Sequence, residues 1–264
     1  MKRWLPFVKS GPTVAVIRMQ GVIATARGGL SDQSLGPVIE KAFARGKPDA
    51  VALQINSPGG SPVQSSLIGA RLRRLSEEKK VPVLAFVEDV AASGGYWLAA
   101  AADEIYADAS SVIGSIGVIS ASFGAHELID RYGIERRVYT AGTSKSMNDP
   151  FRPENPEDVA RLKVLLTDIH DTFIDHVRTR RDGKLDTSED LFNGQVWLAA
   201  KAQSLGLIDG VGHMMPVLKD RFGDKVRLRR YGVRRPFFAR FGASLVEDGL
   251  TAIEERAAFG RFGL

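Results

Sequence analysis

The chain has 264 residues, 44% hydrophobic and 25% charged, which suits one well-buried α/β core and excludes a disordered composition. It has no cysteine, so disulfides, thiolate metal sites and a cysteine nucleophile are excluded. The net charge of +5 is modest and is distributed unevenly along the chain.

The start, MKRWLPFVKSGP, carries charges and Trp4 but lacks the long apolar centre and small-residue cleavage site of a signal peptide. TVAVIRMQ and GVIAT then read as short β-strands. A helix is predicted from Ser31 or Asp32, with Leu35, Val38, Ile39, Ala42 and Phe43 on one face. The β-branched run AVALQIN ends at Pro58-Gly59-Gly60, and Ser61 to Ser76 reads as helix with Leu67, Ile68, Leu72 and Leu75 apolar. VPVLAFV is another buried strand. VAASGGYWLAAAADEI turns from it into an alanine-rich helix.

IYAD, SSVIGSIGV and ERRVYT continue the rhythm of short strands and glycine turns. The stretch 143–156, TSKSMNDPFRPENP, is linker-like. The longest helix is predicted after Asn155-Pro156-Glu157-Asp158, with Val159, Leu162, Leu166, Ile169, Phe173 and Val177 along one stripe. A further helix is predicted within Asp186–Ser204, closed by LGLIDGVG. Strands alternating with helices argue for an α/β fold built on βα units. The expected organisation is one domain over residues 1–226 and a basic, partly amphipathic tail over 227–264.

The run KVRLRRYGVRRPFFAR, Lys225 to Arg240, leads into that tail and has seven basic residues and no acidic one. With Tyr231, Phe237 and Phe238 interleaved, it suits peripheral contact with an anionic membrane, whereas nucleic acid is not an expected partner; a solvated basic edge is the alternative. No stretch reads as a membrane-spanning helix: Ala109–Ala125 is uncharged but broken by Gly114, Gly117 and Gly124. The expectation is a cytoplasmic chain, held at most peripherally at the inner membrane.

Two glycine turns attract chemical attention. A serine nucleophile needs a base, and its tetrahedral intermediate needs backbone N–H donors. Ser93 stands where a buried strand becomes a helix, so its own N–H and that of Gly94 would lie at the helix's positive end. INSPGG (55–60) ends another strand, and its glycines let the backbone turn amides outward. In a parallel arrangement both turns lie at the carboxyl edge of the sheet, which allows an oxyanion hole between the Gly60 and Gly94 amides. Two ordinary strand-to-helix turns would give the same glycines.

The base is open at this point. His170 and His176 lie off the apolar stripe of the long helix and read as surface residues. His213 follows the glycine-rich turn GLIDGVG and nothing there marks it as an oriented base, and His126 is the least dismissible of the four histidines. Lys145, in AGTSKSMNDPF, is the alternative, with Ser115 available as a hydroxyl partner. A lysine base must be neutral; lowering its pKa of about 10.4 by roughly 3 units takes about 4 kcal/mol of burial.

INSPGG, AASGGYW, GSIGV, a lysine before NDPF, a long helix and GLIDGVG, in this order over roughly residues 12–215, resemble the bacterial signal peptide peptidase A family. These SppA/SohB-like serine peptidases use a Ser/Lys dyad on a Clp-protease-like, crotonase-like α/β fold of repeated ββα units. The resemblance implies Ser93 as nucleophile, Lys145 as general base, Ser115 as the serine that hydrogen-bonds the lysine, and Gly60 and Gly94 as oxyanion amides. It implies no cofactor and no metal. It also implies a homo-oligomer in which Lys145 reaches a neighbour's Ser93, and substrates such as cleaved signal peptides or other hydrophobic peptides. Where members commonly carry a bulky residue before the lysine, this chain has Ser144. Two other readings stay open: a crotonase-type acyl-CoA-processing enzyme, for which Glu88 and Asp89 are the nearest acids, and a non-catalytic membrane-surface scaffold.

Overall fold

A computed structural model describes residues 11–26, 28–142, 144–232, 253 and 255–264. Their strands form one eight-stranded sheet, in the order β6-β5-β3-β2-β1-β8, with β4 joined to β3 and β7 off that path. The chain divides into two compact units, residues 1–116 with 175–264, and residues 117–174.

The first unit begins with β1 (Thr13–Gln20), α1 (Asp32–Ala44), β2 (Ala50–Ser57), α2 (Pro62–Lys79), β3 (Val83–Ala92) and α3 (Gly94–Ala100). β1, β2 and β3 pair in parallel and are apolar on both faces, as strands covered on two sides must be. One face packs Val14, Val16, Ala52, Leu84 and Phe86 against Leu218. On the helical side, Leu35, Ile39, Ile68 and Leu72 are fully buried. Local chemistry fixes the helix starts. Ser31 and Ser34 form a reciprocal capping box on α1, while Ser61 caps α2 with Pro62 in its first turn.

β3 is the strand on which the site is built. Its first half pairs with β4 (Glu104–Ala107) and its last three residues pair with β5 (Val112–Gly114), both in parallel. β6 (Val196–Leu198) closes that edge antiparallel to β5. After α6 (Ala199–Ser204), β7 (Gly210–Val211) and α7 (Met214–Phe222), the unit ends its sheet with β8 (Arg227–Tyr231), parallel to β1. The first five residues of the expected basic tail are therefore an edge strand. Residues 233–252 lie outside the described set, and with them Phe237 and Phe238.

The second unit holds α4 (His126–Arg131), a turn-rich stretch, and α5 (Pro156–Arg180) as far as Ile174. Ala125 N–H donates to Pro150 O at 2.6 Å, and Arg136 pairs with Asp149 at 3.2 Å. Large apolar side chains on this unit face outward, among them Phe123, Tyr132, Tyr139 and Val164.

Three sequence expectations differ from the structure. ERRVYT is not a strand, GVIAT contributes only isolated bridges from Ile23 to Leu30 and Gly60, and the helix expected within Asp186–Ser204 is confined to α6. Among the described residues, no helix is long and apolar enough to cross a membrane.

Candidate active site

Ser93 stands between β3 and α3, at φ +51° and ψ −123°. That backbone region is costly for a residue with a Cβ, and here it is over-determined by its bonds. The Ser93 N–H donates to Gly114 O at 2.8 Å, and its carbonyl accepts Trp97 N–H at 3.0 Å. The amide of Ser93 is thus already used in the sheet, so it is not the free donor that the sequence suggested. The side chain is half-exposed, and its hydroxyl has no hydrogen-bond partner among the described residues.

The two glycine turns do meet. A Cβ on Gly59 would stand 2.8 Å from Ser93 Cβ and 2.9 Å from Gly94 N, and one on Gly94 would stand 3.4 Å from Gly60 N. Gly60 adopts φ +141° with its backbone against Ile23, where a Cβ would overlap the Ile23 carbonyl. Gly94 leaves no room either, because its Cβ would overlap Ser65 Oγ. Neither the Gly60 nor the Gly94 N–H donates to another group among the described residues. Two unspent amides therefore lie beside one free hydroxyl.

Ser115 belongs to the same neighbourhood through the chain. It follows Gly114, whose carbonyl holds Ser93, and is itself at φ +52° with its N–H donating to Gln195 O at 2.6 Å. Lys145 belongs to the second unit, in a turn where its N–H donates to Gly142 O at 3.3 Å, and its side chain is exposed. The structure thus gathers Ser93, Gly60, Gly94 and the Ser115 turn within the first unit and carries Lys145 on the second.

The histidines are accounted for individually. His176 is not a surface residue. Its ring stacks on Trp97, centroids 4.3 Å apart and 5° from parallel, and its Nε2 lies 3.0 Å from Trp97 O. A carbonyl only accepts, so Nε2 carries the proton. Burial lowers the His176 pKa to about 4, with the Trp97 carbonyl pulling weakly the other way. His213 does have an oriented acid, Asp108 Oδ2 at 2.7 Å, from 105 residues away. Asp108 follows the last β3–β4 pair, Val87 with Ala107, and Val87 is six residues before Ser93, roughly 20 Å along a strand. His126 begins α4, in the second unit.

Glu88 and Asp89 are engaged in holding strands together. Glu88 accepts from Gln54 Nε2 and Asp89 from Asn56 Nδ2, each at 2.5 Å. GLIDGVG also acquires a physical reason. Asp209 accepts from Arg181, which is only 2% exposed, and from Lys184, both at 2.7 Å, and from Ile105 N–H at 2.8 Å. Burial alone would raise the Asp209 pKa; the Arg181 and Lys184 hydrogen bonds outweigh it and hold the carboxyl below its ordinary value. Tyr96 O–H donates to Leu207 O at 2.7 Å, tying the same segment to α3. Among the described residues, no cluster of side chains suits a metal ion.

A separate concavity of about 430 Å³ is lined by Arg45, Arg229, Arg230 and Tyr231 at the β8 edge. None of its arginines has an ion-pair partner among the described residues.

Comparison with known proteins places this geometry in context. The sequence model of Peptidase family S49 matches residues 76–221, a span that holds Ser93, Ser115 and Lys145. The chloroplastic serine protease SPPA of Arabidopsis thaliana is 32% identical over 80% of this chain and 32% of its own length. Protease 4 of Haemophilus influenzae is 30% identical over 75% of this chain and 32% of its own. A protein of Brucella melitensis named Na(+)/H(+) antiporter NhaA is 48% identical over 100% of this chain, which spans only 39% of that protein.

Proposed function

The chain belongs to peptidase family S49, and from that premise we propose that it is a serine endopeptidase with Ser93 as nucleophile and Lys145 as general base. The observation that carries the reading is Ser93 itself. It is a non-glycine residue held at φ +51°, with an unpartnered hydroxyl beside two unpartnered glycine amides.

The proposed chemistry follows from these parts. Ser93 Oγ attacks the scissile carbonyl carbon while its proton passes to neutral Lys145 Nζ. The developing oxyanion accepts from Gly60 and Gly94 N–H, a contribution that mutagenesis of such donors values at about 3–4 kcal/mol each. Collapse breaks the C–N bond, and the amine leaves with the proton from Lys145. Water then gives a proton to Lys145 and attacks the acyl-Ser93 ester, releasing the carboxylic acid and restoring the serine. Ser115 is assigned to hold the lysine amine.

A neutral lysine needs burial, and the Lys145 side chain is exposed on this chain. The outward-facing Phe123, Tyr132 and Tyr139 of the same unit call for cover. Both features support a homo-oligomer in which a neighbouring subunit buries Lys145 next to its own Ser93. The substrates proposed are hydrophobic peptides such as released signal peptides. The engagement of Glu88 by Gln54 and of Asp89 by Asn56 weighs against an acyl-CoA chemistry based on those acids. The antiporter name describes a Brucella protein much longer than this chain and is not carried over.

The test is hydrolysis of casein and of a synthetic signal peptide by the assembled protein. Ser93→Ala and Lys145→Ala are each expected to lower the rate by at least about a thousandfold with assembly unchanged. Full activity in Ser93→Ala would refute the reading.

A second reading, additional to the first, concerns the β8 edge. The unpaired arginines around its cavity favour contact with anionic phospholipid headgroups. Cosedimentation with phosphatidylglycerol vesicles but not phosphatidylcholine vesicles, weakened in Arg229→Ala/Arg230→Ala, is the expected result. Equal binding of both proteins would contradict it.

A further inference from the structure

The helix that follows Ser93 is short and held from behind. α3 has seven residues, Gly94–Ala100, all buried. The last carbonyls of a helix lack intrahelical partners, and buried ones must find donors elsewhere. Here most of the side-chain donors to this end of α3 come from the last turns of α5. His176 Nε2–H donates to Trp97 O at 3.0 Å, in addition to the Ala101 N–H that this carbonyl accepts at 3.2 Å. Arg180 donates from Nε to Ala100 O at 3.2 Å and from Nη2 to Ala102 O at 3.1 Å, while Arg73 of α2 reaches Ala101 O at 3.3 Å.

The Trp97 peptide links this grip to the nucleophile. Its N–H donates to Ser93 O at 3.0 Å, its carbonyl accepts from His176, and its indole is stacked on the same imidazole. Ser93, Trp97 and His176 thus form one hydrogen-bonded series, with a flat ring contact fixing its far end. A displacement of α3 would move the Gly94 amide away from Ser93 Oγ. Oxyanion donors act only within a few tenths of an ångström, and a misplacement of about 1 Å can cost about a hundredfold in rate.

We propose that His176 and Arg180 are positioning residues for Ser93, fixing α3, and with it the Gly94 amide, by holding the carbonyls at the helix's far end. This rests on the serine-nucleophile reading. Neither residue touches substrate in this assignment. Their effect falls on the chemical step rather than on substrate affinity.

The experiment measures the rate at which a fluorophosphonate phosphonylates Ser93, by intact mass, together with kcat and KM on an apolar peptide. Phosphonylation forms an Oγ–P bond and expels fluoride, so it reports nucleophile and oxyanion geometry. His176→Phe keeps a ring against Trp97 and removes the donor; Arg180→Met removes the charge; Arg180→Lys keeps it. His176→Phe, which loses one hydrogen bond, is expected to lose about tenfold in phosphonylation rate and kcat with KM within about twofold, and Arg180→Met, which loses two, at least as much. Arg180→Lys is expected to recover most of the loss. His176→Phe carries the comparison should Arg180→Met not fold. Lowered melting temperatures with unchanged rates at 25 °C would overturn the proposal and leave the nucleophile standing. No labelling of Ser93 in the unsubstituted protein would overturn both.

Discussion

At the scale of single residues, the backbone of Ser93 explains why small neighbours surround it. A serine at φ +51° pays a conformational cost of about 1–3 kcal/mol that only a glycine would avoid. Ser93→Gly should therefore be more stable than Ser93→Ala by about 1 kcal/mol, although both lack the hydroxyl. Urea unfolding of the two variants checks this, and a more stable alanine variant would mean that the turn is not strained. The stretch SGG was legible because nucleophile turns and close backbone approaches both draw on small residues. The Ser93 N–H could not be assigned from sequence, since its acceptor, Gly114 O, comes from β5. Separation in sequence likewise hid the Asp108–His213 and Arg181–Asp209 pairs.

At the scale of elements, α5 is a long amphipathic helix whose last turns meet the end of α3, and its buried imidazole makes that junction sensitive to acid. The His176 pKa is lowered to about 4 against roughly 6.5 unfolded, with Trp97 and the Arg180 charge facing the ring. Its contribution to stability is therefore complete above pH 6.5 and is lost as pH falls toward 4, by up to about 3 kcal/mol. Comparing unfolding free energies at pH 7 and 4.5 with those of His176→Phe isolates this term; the variant should show a shallower decline. An identical decline would place the ring in water. The apolar strands β1, β2 and β3 were readable because burial on both faces leaves uninterrupted apolar runs. ERRVYT misled because β-branched residues favour a strand only where a partner pairs with them, and residues 135–140 are largely exposed and unpaired. The helix within Asp186–Ser204 shortened because Asp186, Asp190 and Asn193 each accept an N–H two residues on, competing with helix formation. β8 read as a tail because its arginines face outward, as charged edge strands do.

At the scale of the whole molecule, the nucleophile and the proposed base stand in different compact units of one chain. The first unit holds Ser93 with the Gly60 and Gly94 amides, and the second holds Lys145, which is exposed, and several exposed aromatic side chains. Nothing in the spacing of residues reveals this division, because a boundary between units leaves no periodic signature. The proposed sharing of a site between subunits has a quantitative consequence. Subunits carrying Ser93→Ala and subunits carrying Lys145→Ala each lack one component, but a mixed assembly contains sites with both.

Equal amounts of the two inactive variants should therefore be dissociated, mixed and reassembled, and the hydrolysis of an apolar peptide measured. Random assembly leaves about one site in four intact, so activity should return toward about a quarter of the unsubstituted level, up from near zero for either variant alone. Substantial activity in either variant by itself, or a mixture no more active than its components, would contradict a Ser93–Lys145 site formed between neighbouring subunits.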